Sequence, residues 1–330
     1  MNKYLVLLAL IPFFTNAQSY APPAGQAGTT AIHKDSSDFV GWATEIEVFR
    51  GYLDISDKDY EINGNNRASF GDPEFALGAA TGDVGNSVSL GDSGYAVVTF
   101  ENPITNGPGN DFAIFENGFS DDYLEFAHVE VSSDGENFVR FPSHSEVQTL
   151  TQTNGFGSTD TRFIHNLAGK YRVGFGTPFD LEDLIDSTGI DVNYITHVKI
   201  IDVIGSIGSE GTEDAYGNKI NDPFPTPFES GGFDLEAVGV IHQTLNIENF
   251  QQNSEVIIYP NPANEKLFVE LNQGSIQTIQ LIDFSGRLIL DKKVSNNKTT
   301  INISNLETGS YILVSKDSNG VNYRRTVLIH

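Results

Sequence analysis

Cysteine is absent from all 330 residues, which excludes disulfides, thiolate metal sites and cysteine nucleophiles together. A chain of this length buries enough apolar surface to fold without disulfide staples. Basic side chains are scarce, 19 against 44 acidic ones. Long apolar runs are missing too: after Tyr4–Phe14 no stretch is long enough to cross a bilayer. Sustained helical periodicity is absent, and the seven histidines fall in none of the spacings that build a zinc hydrolase. His33 is the only histidine before Gly91-Asp92-Ser93-Gly94, so this protease-like tetrapeptide is expected to be a turn opening a strand. No catalytic residue is nominated.

What remains is informative at both ends. Asn2 and Lys3, the short apolar run and the small residues Thr15-Asn16-Ala17 together predict a signal peptide over 1–17, cleaved to leave Gln18 at the front. From Gln18 to Leu245 there are 36 acidic and 10 basic side chains; from Asn246 onward there are eight of each, and Lys3 completes the totals. The acidity therefore belongs to the first part of the chain, which is expected to repel nucleic acid and to favour cations or neutral ligands.

The composition breaks at the Gln- and Asn-rich segment 243–255, which predicts a linker between a domain at 18–242 and another at 256–330. In the first domain short β-type runs alternate with Gly/Asp/Asn/Pro clusters. Strands are expected at Tyr95–Phe100, Asp111–Phe115, Ala127–Ser132, Asn137–Phe141, His197–Ile204 and Phe233–Ile241. Along the last of these Phe233, Leu235, Ala237, Gly239 and Ile241 alternate onto one face. Asp134-Gly135 between two apolar runs is a hairpin signal, because glycine supplies the positive φ of the turn. Only Pro178–Asp186 suggests a helical turn or two, with Pro178 in its first turn. The fold class expected is all-β, a jelly-roll-like β-sandwich followed by a small Ig-like β-sandwich.

Tyr259-Pro260-Asn261-Pro262-Ala263, Leu267-Phe268-Val269, the run Ile279–Leu290, Ile303-Ser304-Asn305-Leu306, Gly309–Leu313 and the closing Arg325–Ile329 stand in a fixed order at the end of the chain. In order and spacing this segment resembles the type A C-terminal sorting domain of the type IX secretion system of Bacteroidetes. Hairpin turns at Phe284–Arg287 and Ser318–Gly320 suit such a module. The resemblance implies passage across the outer membrane by the type IX machinery, followed by release or attachment at the cell surface.

The first domain is similar to uncharacterised bacterial surface proteins. More loosely, it resembles galactose-binding-like jelly rolls, through Ala76-Leu77-Gly78, Val88–Gly91, Gly107–Phe112, the hairpin around Asp134-Gly135 and the closing run Gly231–Val240. Two groups of residues are candidates for a site. Oxygen-rich Asp111, Glu116, Asp121 and Asp122, with Glu236 on the last strand, suggest calcium, a hard cation that takes six to eight oxygens. The placing of Glu236 rests on the galactose-binding resemblance. Trp42, Tyr171, Tyr216 and Phe228 are candidates for stacking on a ligand. The loop Gly205–Gly232, with Tyr216, Phe224 and Phe228, is too long for a plain connection and is expected to form a ligand site with the insert around Tyr171–Phe179. The expected function is an exported, non-enzymatic, calcium-stabilised surface protein that binds an extracellular glycan. Two alternatives stay open: capture of a corrinoid-like cofactor for an uptake transporter, and carboxylate-based hydrolysis.

Overall fold

A computed structural model describes residues 19–244, 256–271, 275–283, 286–318 and 322–330. The leader expected at 1–17, residues 245–255 of the expected linker, Phe284-Ser285 and Asn319-Gly320 lie outside the described residues. The chain divides into two compact units, Met1–Thr244 and Leu245–His330.

The first unit is built from β1 (Ile32–His33), β2 (Gly41–Phe49), β3 (Val88–Ser89), β4 (Tyr95–Ile104), β5 (Phe112–Glu116) and β6 (Ala127–Ser132). It continues with β7 (Val139–Arg140), β8 (His144–Ser145), β9 (Ile164–His165), β10 (Phe175–Phe179), β11 (Ile195–Asp202) and β12 (Asp234–Val240). Hydrogen bonding runs in the order β1-β10-β5-β12-β2-β4-β11-β6-β7, with β3 on β12 and β8/β9 a separate pair. Strand β2 turns the corner: Gly41 and Trp42 pair with β12, whereas Ala43 to Phe49 pair with β4. The ladder thus curls into two layers, and Val98, Val129 and Ile200 from one meet Ile114, Val238 and Val240 from the other in a single core. The fold is an all-β sandwich, as its pattern of short strands and Gly-rich turns predicts.

Strand β12 departs from simple alternation. Leu235 pairs with Glu116 and Ala237 with the adjacent Phe115, so Glu236 is the extra residue of a β-bulge. Beyond it the faces exchange. Val238 and Val240 point into the main core, while Ala237 joins Phe115, Ala113, Phe39 and Trp42 in a smaller cluster on the opposite side. Gly239 lies on that opposite side, and a Cβ there would sit 2.7–2.9 Å from the Phe39 and Trp42 rings. Pro178 lies within β10, and helical geometry is confined to the short turn Leu181–Leu184, capped by the Asp180 carboxylate on Glu182 N–H. The strand β2 escapes sequence inspection because it carries Thr44, Glu45 and Glu47 among its apolar residues. His128, which alternates with valines along β6, is buried beside Ser143 Oγ.

The second unit comprises β13 (Val256–Tyr259), β14 (Lys266–Leu271), β15 (Ile276–Asp283), β16 (Leu288–Lys293), β17 (Lys298–Asn302), β18 (Gly309–Asp317) and β19 (Asn322–Ile329). Sheets β13-β14-β17 and β16-β15-β18-β19 enclose their own core of Leu267, Val269, Leu281, Ile301, Leu313 and Val327. Among the described residues no helix is long and apolar enough to cross a membrane.

Candidate ligand pocket

One end of the first sandwich gathers the loop after β5, the loop before β12 and the segment between β8 and β9. The long 205–232 loop reaches this end because polar side chains pin it. Asp222 Oδ2 accepts Phe126 N–H at 3.0 Å, and the buried Asn221 accepts Thr153 N–H at 2.8 Å while donating to the carbonyls of Gln148 and Thr151. Ile220 packs into a small core with Leu124, Phe126 and Leu167. The Glu229 carbonyl accepts the N–H groups of Ser69 and Phe70. The segment is therefore a fixed wall with its buried polar groups satisfied, as a buried backbone requires.

These attachments enclose a cavity of about 480 Å³, within the span usual for small-molecule sites. Its walls are aromatic: Phe70, Phe119, Tyr123, Phe156 and Phe228. Phe156 and Phe228 lie 5.7 Å apart between ring centres, and Phe119 and Tyr123 6.0 Å apart. Phe156 is 76% and Phe119 67% exposed, large apolar surface that the fold leaves in water. Tyr123 donates its hydroxyl to the Gly155 carbonyl at 3.2 Å, which ties two of the walls together.

The floor is acidic. Asp234, the first residue of β12, accepts from Ser89 Oγ through Oδ1 and from Asn117 Nδ2 at 2.9 Å through Oδ2. Glu125 is only 8% exposed, yet among the described residues nothing donates to its carboxylate. Burial, aided by the neighbouring Asp234 and Glu116, holds the Glu125 carboxyl well above the ordinary carboxylate range. Asp234 is pushed up to about 7 by burial, partly offset by its donors and by Arg50. Behind them Glu116 is buried and raised as well, first by desolvation and then by Asp234. A pocket with protonatable acids below and aromatic faces around it can stack on a ring, accept hydroxyl or ammonium protons, and donate a proton.

The residues nominated from the sequence do not form one site. Phe228 lines the pocket. Tyr216 is 72% exposed, but its ring packs edge-on against His144, 4.7 Å away, outside the pocket lining. Trp42 is half-buried between Phe39 and Phe115 at 4.8 and 5.7 Å. Tyr171 is a core residue, its hydroxyl hydrogen-bonded to Thr30 Oγ1 at 2.8 Å, so the insert around it is not the facing wall.

The five nominated calcium ligands also separate. Asp111 is a structural clamp: Oδ1 accepts Gly107 N–H at 2.7 Å and meets His242 Nδ1 at 2.8 Å, and Oδ2 accepts Leu181 N–H at 2.7 Å. Glu116 accepts Gly118 N–H at 2.7 Å. Glu236 accepts Thr81 Oγ1 at 2.9 Å and Gly82 N–H through Oε1, leaving its buried Oε2 without a partner. Asp121 pairs with Arg172, and Asp122 accepts Ser120 Oγ at 2.6 Å. Among the described residues no three His, Asp or Glu side chains are arranged to hold a metal ion, and the donors already at Asp111 do not fit a cation there. Sequence reasoning passed over Glu125, Asp234, Phe119 and Phe156. Phe119 and Phe156 lie in Gly- and Ser-rich loops, Glu125 sits between the core residues Leu124 and Phe126, and Asp234 stands at the start of an expected strand, so none carried a distinguishing signal.

A second, wider concavity of about 700 Å³ contains Asp121, Asp122, Asp160 and Arg162. There Asp160 pairs with Arg162 at 2.6 Å, Asp121 pairs with Arg172 and Asp122 accepts Ser120 Oγ, and the lining has no aromatic wall among the described residues. The aromatic pocket is the better candidate on chemistry.

Residues 257–330 match the family described as the secretion system C-terminal sorting domain. Curated proteins supply no match. Among solved structures, the chain is similar to PorZ, a surface component of the type-IX secretion system of Porphyromonas gingivalis, at 15% identity and a TM-score of 0.22, covering 29% of this chain and 14% of that one. A DUF3244 family protein of Bacteroides vulgatus with an immunoglobulin-like β-sandwich matches at 14% identity over 24% of this chain and 87% of that one, TM-score 0.21. Ruminococcus gnavus β-glucuronidase matches at 12% identity over 72% of this chain and 35% of that one, TM-score 0.18. Likenesses this slight carry no argument about activity.

Proposed function

We propose that this protein, whose residues 257–330 form a type IX secretion sorting domain and mark it for export to the cell surface or beyond, captures an extracellular glycan in the pocket of its first unit. The observation that carries this reading is the ring of exposed aromatic side chains around a 480 Å³ cavity with hydrogen-bonding acids at its base. Sugars present an apolar face for stacking and hydroxyls for polar groups, and this pocket offers both partners. Its size suits one or two sugar rings better than a corrinoid. A glycan array probed with the mature chain tests the reading. Phe156→Ala and Phe228→Ala should each weaken binding to any hit by about tenfold, near 1.4 kcal/mol, while leaving the melting temperature unchanged. Unchanged binding by both variants would contradict it.

One observation favours a second reading: two carboxylates in different surroundings, Asp234 held by two donors and Glu125 held by none, line the same pocket. Acids with pKa values set apart by their environments are the equipment of glycoside hydrolysis. Release of nitrophenol from a panel of aryl glycosides, lost in Glu125→Gln, would establish it. Calcium enters only through Glu236, the nominated carboxylate with a buried unpaired oxygen. A rise in melting temperature on adding calcium, abolished in Glu236→Gln, would support an ion there; identical melting in calcium and chelator would remove it.

A further inference from the structure

Glu125 is an acid to which the fold supplies no partner among the described residues. The residue is more than nine-tenths buried, its side chain lines the aromatic pocket, and its carboxylate receives no hydrogen bond among the described residues. Among the described residues the pocket lining contains no lysine, arginine or histidine. Asp234 and Glu116 lie close enough to add negative potential, and the surrounding domain is strongly acidic as well. A neutral sugar would stack on the rings but bring no charge to pair with this acid in its ionised form, and an anionic one would be repelled. Aromatic faces, the negative side of the ring quadrupole, attract cations, and a cation lodged among them sits over an acid that lacks a partner.

We propose that the pocket recognises a positively charged amino sugar, a hexosamine whose nitrogen is free of its acetyl group, with the ammonium on Glu125 and the ring against Phe156 and Phe228. This rests on the glycan reading above and sharpens it to a substrate class. The ammonium supplies three donors, enough to reach Glu125 and leave others for hydroxyl or water partners. Acetylation removes the charge and adds bulk at the same atom, so the pocket discriminates between the two forms of one polymer.

Binding is then linked to pH. The groups that bear on Glu125 are Asp234, Glu116, Asp222 and Asp202, all acidic; Tyr123 stands beside it, and Arg50 acts on Asp234. Burial and the neighbouring acids favour the protonated form of Glu125 in the empty pocket, and an ammonium ligand must displace that proton. While the sugar amine stays protonated, affinity therefore rises as pH increases, and each binding event releases a proton into the buffer.

The test uses the mature full-length chain and three trisaccharides of matched linkage that differ only at C2: tri-glucosamine, its fully N-acetylated form and cellotriose. Calorimetry at 0.15 M salt suppresses attraction of a cation to the acidic surface at large. The expected result is that tri-glucosamine binds at least about tenfold more tightly than either neutral sugar, with a heat that varies with buffer ionisation, and that Glu125→Gln erases the preference. Equal affinities, a preference for the acetylated form, or a preference undiminished in Glu125→Gln would overturn the ammonium assignment and leave glycan capture standing. Binding of other neutral glycans with no response to tri-glucosamine would do the same. If no glycan of any kind binds, the reading beneath it falls too. The three wild-type titrations decide the matter even if the variant does not fold.

Discussion

Burial at single residues makes this protein's stability run against the usual dependence on pH. Asp92 and Asp234 have carboxyls raised to about 7 by desolvation, with Asp54 adding to the first. An unfolded aspartate titrates near 3.9, so between these values the folded state holds more protons than the unfolded one. Stability then falls as pH rises through that window and is lowest above 7. His128 acts in the opposite sense: its pKa is lowered to about 4 by burial, so its contribution is lost as pH falls below about 6.5. Between pH 8 and 6.5 the two carboxylates outweigh Lys170, whose pKa burial lowers to about 8 and whose contribution runs the other way near the top of that interval. The melting temperature of the first unit should rise as pH is lowered across that interval, and Asp92→Asn, which keeps an acceptor for Ile55 N–H, should flatten the slope. A melting temperature that falls across the same interval would contradict the buried-acid account. At Asp111 the prediction concerns clamping. Asp111→Ala strips two backbone N–H groups of their acceptor and should cost about 3 kcal/mol or more in denaturant unfolding. The loss should be equal with calcium and with chelator; a loss seen only in calcium would restore Asp111 as a ligand.

Elements were legible in the sequence wherever one periodicity held throughout. Strand β6 falls at Ala127–Ser132, where valines alternate with polar residues, and β11 covers most of His197–Ile204, which is rich in valine and isoleucine. Strand β12 was found, but its faces were misread beyond Glu236, since a bulge leaves no mark in a pattern of apolar residues. The same limit hid the site. Glu125 and Asp234 lie more than a hundred residues apart, and their shared pocket exists only because Asn221 and Asp222 pin a distant loop. The long loop was legible as functional from its length and aromatics; which aromatics face a cavity was not, because Phe228 and Tyr216 look alike in sequence. The bulge makes its own prediction through the face it reverses. Gly239→Ala would drive a methyl group into Phe39 and Trp42 and should destabilise the domain by about 1–3 kcal/mol, read from denaturant midpoints. An unchanged midpoint would show that the small cluster repacks freely.

At the scale of the molecule, two sandwiches with separate cores divide the labour: the first carries an acidic surface and a pocket, the second carries the address. Deleting 257–330 should leave the first unit folded but hold it in the periplasm, and surface display of the truncated chain would contradict that division. Capture of a ligand outside the cell requires only that the pocket be rigid and open, which its pinned walls and exposed rings provide. The central claim is that this pocket, rather than the wider acidic concavity or the Tyr216–His144 surface, takes the ligand. Hydrogen exchange on the full-length chain, with and without a saturating glycan from the array, reads this directly, because a bound ligand slows opening of the segments it touches. Protection is predicted at 117–125, 154–157 and 226–234 together; protection confined to 158–162 or to 214–218 would contradict the claim.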